Sequence, residues 1–344
     1  MSVKLAFKKF TFSAVIAIFA ILGVGIEKSF GADKKVSIGY QKIAAPWISG
    51  IADGAFEKST GYSIDWRVFE SGASAMRAFE KGEVQIPLAG SSPIAIGAST
   101  GANLELFWIV DDINFGEALV VKRGTTTVSP QDLRGMTIGV PFASTSHFHL
   151  LFALEQFGIP LNEVRIRDLD PTAIELAWAR NEIDAAFVWN PTLGALLKSG
   201  QVLIYSGTLT RWGKATFDGL VADRNWAKEN PSFMVNFVRS IAAIDANYRR
   251  NPRSWSSSSS QVGNIVKLVG GNTLLTPRAL RLYKYPNLSE QASRVWLGGG
   301  NKSGAAIALQ HTSKFLKEQN VLTQILPNYG SAVNDLWARL ATGK

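Results

Sequence analysis

Three short runs of small, mostly hydroxyl-bearing residues sit where helices should begin: Ser71-Gly72-Ala73-Ser74, Gly90-Ser91-Ser92-Pro93 and Ser144-Thr145-Ser146. A helix start leaves backbone N–H groups without acceptors and carries a partial positive charge. Hydroxyls placed there, with no acid among them, suit a bound oxyanion. Pro93 adds a residue favoured at a first helical position. Taken singly, Ser91, Ser92, Ser144 and Thr145 each read as an ordinary cap with water as partner. Three helix starts of one chemical type point instead to one small anion gripped from two sides. Two acids stand apart from these runs. Glu117 opens EALVVK and Asp218 lies in FDGLVA. Each segment reads as a strand crossing between two α/β units, so both carboxylates can reach one cleft. The plainer readings are an exposed strand-end acid and a turn residue.

Other constellations fail on geometry. His147 and His149 are two apart on a helix, so they point to nearly opposite sides and make a poor metal pair. No metal and no cofactor is expected. Ser144 and His147 lack a G-x-S-x-G elbow and an evident acid partner, which argues against a serine hydrolase. The run GGGNKSG from Gly298 lacks the Gly-Lys-Ser/Thr order of a phosphate loop.

The elements that position these residues alternate. Strands are expected over 36–40, 62–69, 84–88, 104–110 and 117–122. A second series covers 136–140, 163–169, 184–189, 201–205 and 217–222. Helices fill the intervals, including 144–157 and one from Pro171. A strong amphipathic helix follows from Pro231 to Tyr248. This pattern predicts an α/β fold with largely parallel sheets and helices on both faces. The helices over 307–319 and 331–340 are expected to wrap the first unit. Residues 117–221 read as a second lobe inserted into a first lobe made of 33–116 and 222–344. Two crossings make a hinge, and ligands bind in the cleft between such lobes.

Composition sets outer limits. The chain has 344 residues, 46% hydrophobic and 18% charged, which excludes wholesale disorder. Residues 1–32 read as a signal peptide, with Lys4, Lys8 and Lys9 before the apolar run from Phe10 to Ile26. Lys4, Lys8, Lys9 and Lys28 against Glu27 give that leader a net +3 of the total +9. The remaining excess is dispersed, with no basic block, so nucleic acid is not an expected partner. There is no cysteine. Disulfides, thiolate chemistry and a lipid-bearing cysteine are therefore excluded, and export to a bacterial periplasm as a monomer is expected.

A further set of residues, ordered along nearly the whole mature chain, carries a resemblance. It comprises Tyr40-Gln41, Asp65-Trp66-Arg67, Ser71 to Ser74, Gly90 to Pro93, Glu117 to Lys122, Val140-Pro141-Phe142, Ser144-Thr145 with His147, Val188-Trp189 with Pro191, and Gly213 to Asp218. It resembles the periplasmic substrate-binding proteins of ABC importers for taurine and other aliphatic sulfonates. The resemblance implies a two-lobed venus-flytrap fold of type II with two crossing strands as hinge. It implies capture of taurine or a related small sulfonate and delivery to a permease with its ATPase. By the same resemblance Ser91, Ser92 and Thr145 would hold the sulfonate, with N–H groups around Gly72 and Ser144 and a donor from Gln41. Glu117 and Asp218 would pair with the ammonium, and Trp189 would stack against it. Alkanesulfonates or another small anion such as nitrate are the alternative ligands. Sulfinate desulfinases resemble the family too, but they use a cysteine nucleophile and this chain has none. One departure stands out: Trp47 follows Gln41 closely and is expected to crowd the cleft.

Overall fold

Strand and helix alternate along the chain, and the pattern closes into two sheets. The computed structural model describes residues 34–124 and 129–343; the leader expected over 1–32 lies outside them. In chain order the strands are β1 (Lys35–Gln41), β2 (Ser63–Phe69), β3 (Ile86–Gly90), β4 (Leu104–Asp112) and β5 (Glu117–Lys122). They continue with β6 (Thr137–Val140), β7 (Arg165–Asp168), β8 (Ala185–Trp189), β9 (Gly200–Tyr205) and β10 (Phe217–Asp223). The first sheet runs β2-β1-β3-β10-β4 and the second β7-β6-β8-β5-β9. Each sheet, with its helices, forms one lobe of an α/β fold.

The sheets are mixed rather than largely parallel. β10 is antiparallel to β3 and β4, and β5 is antiparallel to β8 and β9. The reason is connectivity: a strand arriving from the other lobe enters its new sheet travelling the opposite way. Residues 217–221, expected with the second lobe, thus belong to the first sheet as the start of β10.

The helices used below are α1 (Gly72–Glu80), α2 (Ser91–Ser99), α3 (Thr145–Gln156), α4 (Pro171–Ala179), α5 (Ser206–Arg211), α6 (Pro231–Arg250) and α7 (Gly304–Glu318). α6 buries Phe233, Phe237 and Ile241, four residues apart, with Met234 and Val238 beside them. Each such side chain contributes about 1.5–3 kcal/mol when buried. They pack with Ile38, Leu88 and Trp108 of the first sheet. In the second lobe Phe148 and Phe152 of α3 pack with Leu119, Val121 and Phe187. α7 does not wrap the first unit alone. Ala305, Ala306 and Leu309 pack beside Leu106 and Val221, while Phe315 and Leu316 join the core of the second lobe. A 15-residue helix spans roughly 22 Å, enough to touch both.

Local departures have local causes. The helix expected after Pro46 breaks at Gly54, which adopts φ 61° and starts a new helix at Ala55. Pro93 is the third residue of α2, not the first. The last helix begins at Leu336 rather than near Ser331, because Val333 bridges to Leu106 of β4. Trp47 does not crowd a cleft: it is fully buried, its ring against Phe56 and Trp66.

Candidate ligand-binding site

The three hydroxyl-rich runs all start helices, and the helix starts converge. A Cβ on Gly72 would stand 2.8 Å from Ala89 Cα and 3.0 Å from Gly90 N, so α1 begins directly against the end of β3. A Cβ on Gly90 would stand 2.8 Å from Thr145 Cγ2 and 3.4 Å from Asp218 Oδ1. Only glycine lets α2 and α3, from different lobes, come this close.

The helix starts differ in how they are capped. Ser71 caps α1 and shares a reciprocal pair of bonds with Ser74. Ser144 caps α3: its Oγ accepts from His147 N at 3.1 Å and donates to Pro141 O at 2.6 Å. α2 has no side-chain cap, because its N-cap residue is Gly90. Ser91 and Ser92 are nevertheless fully buried. Ser91 Oγ accepts from Phe217 N at 3.4 Å, and Ser92 Oγ has no partner. A buried helix start without a cap leaves N–H groups in need of an acceptor.

The acids lie at the other end of the same cluster. Glu117 is 3% exposed and Asp218 4%, so neither is an exposed strand-end or turn acid. Gln41 Nε2 donates to Asp218 Oδ1 at 3.0 Å. Thr145 Oγ1 donates to Glu117 Oε1 at 2.6 Å, and Ser206 Oγ lies 3.2 Å from Oε2. Loss of water pushes Glu117 up to about 8, against the pull of Thr145, with the Asp218 charge adding to the rise. Burial likewise pushes Asp218 up to about 7, and the Gln41 amide opposes it. Among the described residues no Lys or Arg pairs with either acid.

Trp189 is the cross-strand neighbour of Glu117 in the antiparallel register. Its Nε1 donates to Lys42 O at 3.1 Å, one residue past Gln41, and so ties the second lobe to the first. A second tie links Thr172 of α4 to Glu70, at 2.8 Å, with Lys42 Nζ on the same carboxylate. Gln41, Gly72, Ser91, Ser92, Glu117, Ser144, Thr145, Trp189 and Asp218 are therefore brought into one region, although Ser144 has its hydroxyl spent as a cap. A separate cavity of about 260 Å³, lined by Asn190, Pro191, Lys198, Gly271 and Thr276 among others, shares no residue with this cluster.

Sequence reasoning missed four contributors. Asp111 faces Asp218 directly across the β4–β10 register, is fully buried, and has both carboxylate oxygens unpartnered. Burial first, then the charges of Asp218, Asp112, Glu117 and Asp245, holds its carboxyl well above the usual range. Tyr283 lies against Gly116, where a Cβ would stand 2.1 Å from its ring, and its hydroxyl donates to Gly116 O at 3.1 Å. That contact pins the crossing just before Glu117. Ser206 and His149 complete the surroundings of Glu117. An acid closing the apolar run LELFWIVDD was a signal for Asp111; nothing local marks Ser206 or Tyr283.

Comparison with known proteins decides the family. Residues 31–255 match the model of the NMT1-like family. The chain belongs to that family. It is 38% identical over 309 residues to the taurine-binding periplasmic protein of Escherichia coli strain K12, covering 87% of this chain and 91% of that one. Its fold is similar to that of the alkanesulfonate-binding protein SsuA from Xanthomonas axonopodis pv. citri bound to MOPS. The TM-score there is 0.70 at 20% identity, over 85% of this chain and 96% of that one. A desulfurization enzyme, DSZB, shares the fold as well, with a TM-score of 0.62 at 13% identity over 90% of this chain and 99% of that one. The fold thus serves both binding proteins and an enzyme, and the site must choose between them. Among the described residues no helix is long and apolar enough to cross a membrane.

Proposed function

We propose that this protein is a periplasmic solute-binding protein that captures taurine between its two lobes and presents it to an ABC permease with its ATPase. The lobes are 34–116 with β10 and the C-terminal segment, and 117 to about 212. The observation that carries the reading is the pairing of opposites within one buried cluster. Glu117 and Asp218 come from different lobes and, among the described residues, have no cationic side chain as partner. Beside them α2 starts buried and uncapped, with Ser92 Oγ unpaired. A ligand with an ammonium at one end and an oxyanion at the other answers both needs. A 38% identical taurine-binding relative supports the same assignment.

The residues divide the work. Ser91, Ser92 and the N–H groups at the starts of α1, α2 and α3 face the sulfonate. Thr145 bridges the halves, since its hydroxyl is already given to Glu117. Glu117 and Asp218 hold the ammonium, with Gln41 orienting Asp218 and Trp189 closing one side. Bridging both lobes stabilises the closed state, so the ligand selects it. The chain carries no cysteine; Ser206 contacts both His149 and Glu117 but is fully buried behind that acid, so binding without turnover is the reading. Residues 1–32 act as the export signal, and the mature protein works as a monomer.

Calorimetry with taurine, ethanesulfonate, sulfate and nitrate tests this. Ethanesulfonate lacks the amine and leaves Glu117 and Asp218 without their cationic partner. Losing one partner of such a pair costs about 2–5 kcal/mol, so taurine should bind at least roughly thirtyfold more tightly. Equal affinity for the two sulfonates would sink the role of the acids; turnover of either would revive the enzyme.

A further inference from the structure

Behind Glu117 a chain of contacts runs through Ser206 and His149 to a backbone carbonyl. His149 Nε2 is 2.8 Å from Lys214 O, and its Nδ1 is 2.8 Å from Ser206 Oγ. Ser206 Oγ is in turn 3.2 Å from Glu117 Oε2. His149 and Ser206 are fully buried. A carbonyl only accepts, so Nε2 must carry a proton. Ser206 has a single proton for two neighbours, His149 Nδ1 and Glu117 Oε2. The third contact therefore needs one more proton, on Glu117 or on Nδ1. Otherwise two lone pairs face each other in a dry interior.

The surroundings decide which. His149 lies between the rings of Phe148 and Phe187, with no carboxylate against it. The Lys214 ammonium sits over Phe152 and Phe315, and adds no negative charge to stabilise an imidazolium. Burial pushes His149 down to about 4, with the Lys214 carbonyl opposing. Glu117 is faced by Thr145 and Ser146 of α3, Ser206 of α5, Asp218 of β10, Asp111 of β4 and the Tyr283 hydroxyl. Ser146 Oγ favours the charged form without reaching hydrogen-bond geometry. None of these neighbours is a cation. With the proton on Glu117, the neutral His149 accepts from Ser206 and Glu117 donates to Ser206; were the Ser206 proton given to Glu117 instead, it would favour the carboxylate and leave Nδ1 facing a lone pair.

We propose that His149 and Ser206 are positioning residues that keep Glu117 in its acid form until a cationic ligand arrives, so that capture of the ligand releases a proton. The Glu117 O–H bond breaks, its electron pair stays on the carboxylate, the proton leaves to water, and the ammonium takes its place. The proposal rests on the reading of Glu117 as an ammonium partner.

The sign follows. Glu117 titrates near 8 without ligand and lower with it, so between those values binding sheds a proton and affinity rises with pH. One linked proton tightens Kd by up to about tenfold per pH unit. Asp218, raised to about 7, adds to the slope below that pH. Calorimetry at pH 6.5 in two buffers of different ionisation enthalpy should show one proton or more released per taurine, and none per ethanesulfonate. His149→Leu frees the Ser206 proton for Glu117, so proton release falls and the pH profile of Kd flattens. His149→Asn restores an acceptor for Ser206 and should restore the slope. Nitrogen-15 NMR of the wild-type ring, which needs no variant, should show His149 neutral with its proton on Nε2. Taurine binding without proton release, or a protonated Nδ1 in the free protein, would overturn the inference. A failure of taurine to bind would instead overturn the function proposed above.

Discussion

The starts of α2 and α3 look alike in the sequence and behave differently in the fold. Both follow a short buried strand, and both open with hydroxyl residues. α3 is capped: Ser144 closes it and Thr145 gives its hydroxyl to Glu117, although Ser146 Oγ is buried without a partner. α2 is not: Gly90 provides no cap, and Ser92 Oγ is buried without a partner. A hydroxyl spent as a cap contributes mainly to stability, whereas a helix start left uncapped in the interior is poised for a ligand. Two similar motifs thus take two roles, and Gly90, against Thr145, is where they meet.

Substitutions test that contrast. The largest effect is expected away from both helix starts, at Asp218→Asn. It should weaken taurine by about 2–5 kcal/mol while leaving ethanesulfonate nearly unchanged, as read by calorimetry. If both ligands weaken together, Asp218 belongs to the anion end and the division between acids and helix starts is wrong. Next comes Ser92→Ala, which removes a hydrogen bond to a charged group worth roughly 1.5–3 kcal/mol. Taurine and ethanesulfonate should lose affinity alike, since both carry the sulfonate. Gly90→Ala places a methyl against Thr145 and should cost about 1–3 kcal/mol of closure, by analogy with overpacking. Every ligand should weaken several-fold, with far less change in the melting temperature of the free protein. The smallest effect on binding is expected for Ser144→Ala. Loss of this cap should cost about 0.5–2 kcal/mol of stability, seen in thermal melting, with taurine affinity barely moved. Should Ser144→Ala cripple binding while Ser92→Ala does not, the roles of the two helix starts are reversed.

Several features are legible in the sequence, for local reasons. Period-two and helical patterns placed the ten strands to within a residue or two, and hydroxyl runs marked the helix starts. The strand read over 84–88 is displaced to Ile86–Gly90, which carries Gly90 into the contact with Thr145. α5 was not anticipated, because SGTLTR has neither a clear apolar stripe nor a stop. Ser206 was missed with it. From the sequence His149 reads only as a metal-ligand candidate, and its neighbours in sequence say nothing of Lys214. Asp111 lies one residue beyond the strand read over 104–110, and its pairing with Asp218 depends on β10 entering the first sheet.

The amino-acid order alone determined the alternating elements, the absence of thiol chemistry, the hydroxyl-rich helix starts and the two acids at the crossings. These depend on residues a few positions apart, where periodicity and turn chemistry act. Tertiary structure alone decided which hydroxyl is spent and which is spare. Glu117 meets Thr145 across 28 residues and Ser206 across 89, and Gln41 meets Asp218 across 177. A buried polar group takes whatever partner packing brings to it. Its protonation follows from the water it loses and the charges it then faces, and neither is written in the neighbouring residues.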